Sequence, residues 1–401
     1  MGGQDVAAPP DAWLPAGSHH LYVHVPFCRL VCAYCDFVTV GGRRADIPRY
    51  VAALLAELAL RPAPGTLATI YFGGGTPSLL PAAAVARLVD AARSRWGGRT
   101  ALTEVSLEAN PSARERPDWS GLRRAGVTRV SLGAQSLRDA ELRTLARGHT
   151  AAEVRETYRA ARLAGFDSVS LDLIYAVPGQ SLDDWRIGLA AAIALAPDHV
   201  SLYALQLALS PDDWAAPPRR GALRWRRRLA RRQDDALAAD QYRLAEEMLA
   251  AAGYRHYELS SWARRGHEAR HNAAYWLRRP YTGIGAGAHS YDGHSCRSWN
   301  ARDLDEYLER TAAGERALGG SERLDDAERE FEAVALGLRL IDGLDRRRFA
   351  AEFGDDLLAR YGVAVAEGGA KGLLDLDAGR MRLSRRGRLL ANEALAAFAP
   401  D

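Results

Sequence analysis

Short apolar runs alternate with longer amphipathic stretches over the first half of the chain. Six runs rich in β-branched and large apolar residues predict strands at Leu21–Val25, Leu67–Phe72, Glu104–Leu107, Arg129–Leu132, Ser168–Ile174 and His199–Leu205. Helical spacing of apolar residues lies between them, at Pro48–Leu60, Pro81–Trp96, Leu137–Leu145, Ala152–Ala164 and Leu182–Leu195. This alternation is typical of βα units around a parallel sheet. Six units are too few to close an eight-stranded barrel, so we expect an α/β fold with an open, partial (β/α)6 TIM-like barrel.

The second half of the chain has a different pattern. A helix is predicted at Asp234–Ala252, followed by a strand-like alternation at Tyr254–Ser260. Further helices (Asp303–Ala313, Asp325–Leu340, Arg385–Phe398) and two short strands (Leu373–Leu376, Met381–Leu383) predict a small, mostly helical, winged-helix-like C-terminal domain. We therefore expect a disordered lead over 1–20, the barrel with an adjoining substrate region over 21–300, and the C-terminal domain over 301–401.

Composition narrows the class of protein. The 401 residues are 48% hydrophobic and 26% charged with a net charge of +3, which is ordinary for a soluble globular protein and does not indicate nucleic-acid binding. No apolar run approaches the roughly 18 residues of a membrane span. The N-terminus is rich in Pro, Ala and Gly and lacks a signal-peptide pattern. Free cysteines without an export signal predict a cytoplasmic location.

Three of the four cysteines, Cys28, Cys32 and Cys35, lie within eight positions directly after the first predicted strand. Three thiolates on one loop can hold three irons of a [4Fe–4S] cluster and leave the fourth iron open to a small chelating molecule. Two alternatives stay open on spacing alone. The cysteines could lie on one buried helical face, or bind zinc with His24 as a fourth ligand. A disulfide framework is not indicated, and Cys296 is expected to be an ordinary buried thiol.

Polar and glycine residues follow the other predicted strands where they end. They are Gly73–Thr76, Glu108, Gln135 and Gln206, with Asp172 inside an otherwise apolar strand. Glycines let a backbone approach a ligand closely, and a buried carboxylate is costly unless it is paired. Ligands of a βα barrel bind where the strands end, so we expect one pocket to collect these residues.

The cysteine motif C-x3-C-x2-C, with Tyr34 before the third cysteine, resembles the signature of the radical SAM superfamily. The surrounding His24–Phe37 segment, the GGGTP segment at Gly73–Pro77, the HNxxYW match at His271–Trp276 and the Tyr281–Ser290 stretch are similar to the oxygen-independent coproporphyrinogen III oxidase-like family, in its haem chaperone branch. The C-terminal domain looks like that of the same family. The resemblance spans almost the whole chain and is weakest over Ser210–Gln233.

The resemblance implies a radical SAM core and a role for each matched residue. Cys28, Cys32 and Cys35 would ligate the [4Fe–4S] cluster. The residues matching positions that contact S-adenosyl-L-methionine (SAM) are Tyr22, Tyr34, Gly74, Gly75, Thr76, Glu108, Gln135, Arg147, Asp172 and Gln206. Carboxylates suit the ribose hydroxyls or the ammonium group of SAM, and Arg147 suits its carboxylate through a forked hydrogen bond.

Two further segments are candidates for haem or anion contact. His271 lies among aromatic residues in the HNxxYW match and is a candidate haem ligand, since imidazole commonly ligates haem iron. The glycines of Gly283–Gly287 are expected to form a loop near SAM. Eight arginines between Arg219 and Arg232 predict either a solvated segment or a patch that attracts substrate carboxylates or a membrane surface, any such membrane contact being peripheral. The family's usual Glu near Gln206 and its following Thr-Pro are absent, which leaves the substrate-side loop undefined.

Two functions of different class fit this resemblance. One is a chaperone that binds haem and transfers it to acceptor haemoproteins, with respiratory-chain proteins as one candidate group. The other is an oxygen-independent coproporphyrinogen III oxidase, which would make the protein an enzyme. That oxidase has Gly-Cys after its third cysteine and a longer N-terminal segment, whereas this chain has Asp36-Phe37 and some 20 residues before its first strand. The sequence therefore favours the haem chaperone.

Overall fold

The structure, a computed structural model, describes residues 10–15, 17–62, 65–97, 103–207 and 221–400. Within them the strands are β1 (Ser18–Val25), β2 (Phe27–Cys28), β3 (Val40–Gly41), β4 (Thr66–Gly74), β5 (Glu104–Ala109), β6 (Arg129–Gln135), β7 (Ser168–Tyr175), β8 (His199–Ala204), β9 (Arg255–Glu258), β10 (Ser261–Ala263), β11 (Tyr281–Ile284), β12 (His289–Tyr291), β13 (Cys296–Asn300), β14 (Leu318–Arg323), β15 (Leu344–Asp345), β16 (Leu374–Leu376) and β17 (Arg380–Leu383).

The helices of the described residues connect and cover these strands. They are α1 (Ile47–Leu60), α2 (Ala82–Arg95), α3 (Trp119–Arg124), α4 (Asp139–Thr144), α5 (Ala151–Leu163), α6 (Leu182–Ile193), α7 (Ala222–Ala230), α8 (Asp235–Ala251), α9 (Arg270–Trp276), α10 (Leu304–Ala312), α11 (Asp326–Gly337), α12 (Arg346–Phe353), α13 (Leu357–Ala370), α14 (Arg385–Leu389) and α15 (Ala391–Ala396). Among the described helices, none is both long enough and apolar enough to span a bilayer.

One sheet organises the molecule, in the order β14-β13-β12-β11-β1-β4-β5-β6-β7-β8-β10-β9. The strands from β11 to β8 in this order pair in parallel, and the strands outside them pair antiparallel. The open, partial βα barrel predicted from the sequence is confirmed. All six predicted strands form, and β11 is a seventh parallel strand that its short, glycine-containing run did not reveal.

Alternation along the strands separates the two faces of the sheet. Outward-facing residues such as Leu21, Val23 and Phe72 pack with the covering helices in one continuous apolar core. Inward-facing residues such as His20, Tyr71 and Glu108 are polar and enclose the inside of the barrel, here termed the lumen. A parallel strand covered on both faces usually reads as continuously apolar. The polar inward positions therefore indicate that the lumen is built for polar contacts.

Local sequence explains where the covering helices begin. Thr150 with Glu153 and Ser181 with Asp184 form reciprocal capping boxes at the starts of α5 and α6. Pro48 lies in the first turn of α1, where its missing N–H costs no helical hydrogen bond. These signals place the predicted helices within about two residues of the observed ones.

The chain ends differ from the expected division. Residues 1–9 and 16 of the expected disordered lead lie outside the described residues, but Pro10–Trp13 forms a 3-10 turn and β1 already begins at Ser18. Leu14 is buried against Ala274, Leu277 and Leu340. The apolar contacts of Leu14 thus order a segment whose composition suggested disorder.

The C-terminal domain begins later than position 301. Helix α10 packs Tyr307 and Leu308 into the barrel core, and β14 is the edge strand of the large sheet. The domain's own core follows, with α11–α15 around the three-stranded sheet β15-β17-β16. The predicted final helix is broken at Leu390, where non-helical backbone separates α14 from α15.

Candidate functional site

The carboxyl ends of β1 and β4–β8 form one edge of the barrel, here termed the rim. The cysteine loop leaves β1 at the rim and is tied to the glycine segment after β4. Gly75 N–H donates to the Val25 carbonyl and Thr76 N–H to the Phe27 carbonyl, both at 2.8 Å. The Thr76 hydroxyl lies 3.7 Å from Cys28 Sγ. The expected cysteine and glycine segments therefore meet through backbone contacts.

Close packing explains two of these glycines. A Cβ on Gly75 would lie 2.7 Å from the Pro26 carbonyl oxygen, and a Cβ on Gly74 would lie 2.5 Å from the His24 ring. Gly74 also has φ +114°, which side-chain-bearing residues rarely adopt. Glycine is required here so that the two rim segments can pack together.

Arg147 reaches the cysteine loop from across the rim. Its guanidinium donates to Cys32 Sγ at 3.0 Å and to the Tyr34 hydroxyl at 3.2 Å. It also donates to Asn110 Oδ1 at 2.5 Å and to the Gly133 carbonyl at 3.1 Å. The structure thus brings Arg147 and Tyr34 together beside the Cys32 thiol.

Glu108 lies at the end of β5 beside the glycine segment. It accepts hydrogen bonds from the Tyr71 hydroxyl at 2.7 Å and from Gly74 N–H at 3.0 Å. Burial raises the pKa of Glu108 to about 7, with a further contribution from the nearby Asp172 carboxylate. A carboxyl group whose pKa is close to neutral pH can lose its proton when a cationic ligand binds beside it.

Asp172 lies in the lumen two strands away. Both of its carboxylate oxygens accept from the Ser131 hydroxyl at 2.9 Å. Burial raises its pKa, while hydrogen bonds from Ser131 and Ser201 oppose this effect. The buried carboxylate is therefore hydrogen-bonded, and these bonds offset the free-energy cost of burying it.

Tyr22 completes this layer from β1. Its ring stacks on Tyr71 at 6.1 Å between centroids, and its hydroxyl lies 3.0 Å from His24 Nδ1. His24 Nε2 lies 2.8 Å from the Val38 carbonyl, which can only accept, so Nε2 carries the proton and Nδ1 accepts from Tyr22. His24 therefore supports the end of the cysteine loop, with both ring nitrogens occupied.

The two glutamines expected at the SAM site, Gln135 and Gln206, lie in different environments. Gln135 ends β6 at the rim with φ +63°, a strained left-handed conformation for a residue with a side chain. Gln206 lies just beyond β8 and is exposed. Gln135 is thus held at the rim by its surroundings, whereas Gln206 lies on the surface.

His271 lies away from the rim. It is on helix α9, here termed the plug, whose first N–H groups donate to the Glu104 carboxylate at the start of β5. The ring is fully buried, with Nδ1 2.7 Å from the Thr69 hydroxyl and Nε2 2.8 Å from the Tyr275 hydroxyl. Haem ligation by His271 would require one of these bonds to break and the plug to open.

Two other expectations change in detail. Cys296 is half-buried at the start of β13 rather than fully buried. Gly285 and Gly287 do not face Glu108 and the lumen residues beside it. A Cβ on Gly285 would lie 2.5 Å from the Tyr50 hydroxyl, and one on Gly287 would lie 2.9 Å from Val38. This turn therefore packs behind β1 and against the end of the cysteine loop.

Comparison with known proteins agrees with this geometry. The model of the radical SAM superfamily matches residues 22–187, and the model of the HemN C-terminal domain matches residues 324–390. A protein of Mycobacterium tuberculosis named heme chaperone HemW is 40% identical over 96% of each chain. Its Escherichia coli namesake is 33% identical, over 95% of this chain and 98% of its own. The chain belongs to the HemW family of radical SAM proteins.

A solved structure agrees with the fold of this HemW-family chain. Coproporphyrinogen III oxidase (HemN) of Escherichia coli superposes with a TM-score of 0.79, over 97% of this chain and 92% of its own. At 24% sequence identity this likeness concerns the fold alone. The relatives support the chaperone interpretation of the sequence over the oxidase.

The thiols of this HemW-family chain lie close enough together to affect one another. Burial raises the pKa of Cys28 to about 12 and that of Cys35 to about 11, and the neighbouring thiols add to both increases. Each of these thiols would therefore have to lose a proton when it binds a metal. Within the described residues, no group of three or more His, Cys, Asp or Glu side chains is arranged to hold a metal ion.

Sequence reasoning missed a set of lumen serines in this family member. The tripeptide Val-Ser-Leu recurs in β5, β6, β7 and β8, at Ser106, Ser131, Ser170 and Ser201. Ser131, Ser170 and Ser201 all hydrogen-bond to Asp172. The repeat was the available signal, because it places a serine on the lumen face of each of these strands. Ser131 and Ser170 are direct neighbours in the register and Ser201 lies opposite Asp172, whereas Ser106 lies opposite Arg129 and outside this group.

Proposed function

We propose that this chain is a cytoplasmic haem chaperone that carries a [4Fe–4S] cluster and SAM, binds haem and transfers it to acceptor haemoproteins. Cys28, Cys32 and Cys35 would hold the cluster. When bound, cluster and SAM together supply one-electron chemistry at an iron without a protein ligand. Haemoproteins of the respiratory chain are a candidate acceptor group, and any contact with the membrane would be peripheral.

The cysteine loop at the rim carries this proposal. It presents three thiols that influence one another electrostatically, with the Arg147 guanidinium on Cys32 and the Thr76 hydroxyl on Cys28. Arg147 would compensate negative charge at the thiolates. In a member of this family, such an arrangement is best suited to hold the cluster.

The lumen residues next to this loop suit SAM. Glu108 and Asp172 offer carboxylate oxygens to ribose hydroxyls or an ammonium group, and Tyr22 and Tyr71 offer stacked rings. Gln135, Gly74, Gly75 and Thr76 belong to the same rim. Their task would be to orient the ligand and exclude water.

Exposed apolar side chains at the rim support a haem site there. Phe37 is 64% exposed and Leu30 is 47% exposed, both on the cysteine loop, and Tyr203 at the end of β8 is 46% exposed. Large exposed apolar groups often mark a binding surface, and a porphyrin presents a flat apolar face to such groups. Haem at this place would lie over the cluster.

The proposal is tested by reconstituting the protein with iron and sulfide without oxygen. We expect about four irons and four sulfides per chain, as the composition of the cluster requires, and nearly complete loss of both in Cys32→Ala. Cys296→Ala, a cysteine outside the loop, is the matched control and should keep full loading. Loading that survives Cys32→Ala would contradict the cluster assignment.

Haem transfer is then measured separately on the loaded protein. Haemin titration should give saturable binding, and mixing with an apo-haemoprotein should move the haem to the acceptor. A parallel assay of coproporphyrinogen III decarboxylation should show no turnover. Robust decarboxylation without haem uptake would establish the oxidase instead.

A further inference from the structure

We infer that Arg226, on helix α7, is a positioning residue that holds the loop between Cys32 and Cys35 and thereby couples α7 to the cluster. Pro211, Pro217, Pro218, Arg219 and Arg220 of the arginine-rich segment lie outside the described residues, but α7 contains four of its arginines. The inference rests on the proposed cluster site and not on haem transfer.

The buried position of Arg226 separates it from its neighbours. Arg224, Arg227 and Arg228 are exposed on the same helix, whereas Arg226 is 1% exposed. A buried guanidinium is costly unless it is paired and hydrogen-bonded. The arginine-rich segment is therefore more than the solvated segment that its composition predicts, because one of its charges points inward.

Arg226 has three described partners in the cysteine loop. Its Nε donates to the Ala33 carbonyl at 2.9 Å and its Nη2 to the Cys35 carbonyl at 3.1 Å. Nη2 also lies 2.7 Å from Asp36 Oδ1, a charge contact rather than a well-aligned hydrogen bond. The planar fork thus fixes two carbonyls that flank Tyr34 and one carboxylate.

Arg226 and Arg147 contact different parts of the cysteine loop. Arg147 contacts Cys32 Sγ and the Tyr34 hydroxyl. Arg226 contacts two backbone carbonyls of the loop and the Asp36 carboxylate, but no thiol within the described contacts. Trp225, the neighbour of Arg226, adds a ring contact to Tyr34 at 6.4 Å. The last two cysteines of the motif are therefore held between two guanidinium groups that come from separate parts of the chain.

Two consequences follow from this geometry. Because α7 binds the loop in the arrangement seen here, anything that stabilises that arrangement must also stabilise α7, by thermodynamic reciprocity. A positive charge beside the Cys35 carbonyl also favours the more negative, reduced state of a cluster. Reduction potentials depend on nearby charge and solvent exposure, and α7 contributes to both.

The test uses the full chain, reconstituted anaerobically, as wild type and as the variants Arg226→Met, Arg226→Lys, Asp36→Asn and Arg227→Met. Three quantities are measured: the rate of iron loss to a chelator, the midpoint potential from a redox titration, and hydrogen exchange of residues 222–230 in apo and loaded protein. Arg227→Met is the matched control, because it removes an exposed charge from the adjacent position.

We expect Arg226→Met to lose iron about tenfold faster or more, since hydrogen bonds to a buried charge are lost, and to have a lower midpoint potential. Arg226→Lys keeps the charge without the fork, so its potential should stay close to the wild-type value while iron loss is intermediate. Asp36→Asn should raise the potential, and Arg227→Met should match the wild type. Cluster loading of the wild type should slow hydrogen exchange in α7.

Each outcome bears on a different claim. A wild type that takes up no cluster overturns the proposed function, and this inference with it. If the wild type is loaded, equal behaviour of Arg226→Met and Arg227→Met overturns the inference alone. Should Arg226→Met not fold, the potential of Asp36→Asn and the rate of iron loss from Arg226→Lys decide. If both equal the wild-type values, the inference is overturned.

Discussion

The rim and the plug are the two ends of one lumen, and both carry a sequence motif rich in polar and aromatic residues. At the plug, His20, Thr69, His271 and Tyr275 form a continuous chain of hydrogen bonds of 2.7–2.8 Å. At the rim, the cysteine loop is half-buried with exposed apolar neighbours, and Gln135 has a strained backbone.

The difference teaches how to separate a scaffold from a site. A continuous chain of hydrogen bonds between fully buried groups, such as His20, Thr69 and His271, fixes the fold. Partial exposure, backbone strain and a carboxyl pKa raised towards neutrality instead cluster where a ligand binds. By this standard we expect the HNxxYW match to serve as scaffold and the cysteine motif to form the site.

Removing the His271 imidazole gives the largest expected effect of this comparison. His271→Ala leaves the hydroxyls of Thr69 and Tyr275 without their partner and opens a cavity, so we expect the free energy of unfolding to fall by about 3 kcal/mol. The haem spectrum of the surviving folded protein should not change. Chemical denaturation and absorption spectroscopy measure the two effects.

The exposed His294 provides the control for this substitution. His294→Ala should change the unfolding free energy by less than about 0.5 kcal/mol, as is usual for surface positions. An altered haem spectrum in His271→Ala with nearly wild-type stability would make His271 a haem ligand and the plug a mobile element.

The two ends should also respond to pH with opposite signs. Burial lowers the pKa of His20 to about 3, with smaller effects of His19 and Arg279. Below pH 6.5 the His20 side chain therefore binds a proton in the unfolded chain but not in the folded protein. The contribution of His20 to the free energy of unfolding is fully present above pH 6.5. It falls by about 1.4 kcal/mol per pH unit as the pH decreases towards 3.

Glu108 at the rim has the opposite effect on the pH dependence of stability. Its folded pKa of about 7 exceeds the ordinary value of 4.5, so the folded carboxyl keeps its proton while the unfolded one loses it, and stability falls as the pH rises from 4.5 to 7. Denaturant unfolding of the cluster-free protein between pH 5 and 7.5 measures both slopes. His20→Asn should flatten the loss on the acid side, and Glu108→Gln should remove the opposing slope. Parallel curves for wild type and both variants would contradict these assignments.

The sequence predicted the rim better than the plug for a physical reason. Strands, glycines and cysteines each leave a local signal, because periodicity, missing Cβ atoms and thiol spacing are properties of neighbouring residues. Tyr275 is a local partner of His271, but its other two partners, Thr69 and Glu104, are about 200 and 167 positions away, and only the folded sheet brings them together. The burial of Arg226 among eight arginines is equally non-local. The repeated Val-Ser-Leu tripeptide, in contrast, is a local signal that could have predicted the serines around Asp172.

The smallest expected effect distinguishes strain that serves a ligand from strain that does not. Gln135 at the rim and Ala196, between α6 and the start of β8 at the opposite end, both have left-handed backbone, with φ +63° and +52°. Glycine adopts this conformation without the Cβ penalty, so Gln135→Gly and Ala196→Gly should each raise the unfolding free energy by about 1 kcal/mol. Only Gln135→Gly should also weaken SAM binding to the loaded protein, measured by calorimetry. If both variants bind SAM as the wild type does, the strained backbone at Gln135 is a feature of the barrel and not of the site.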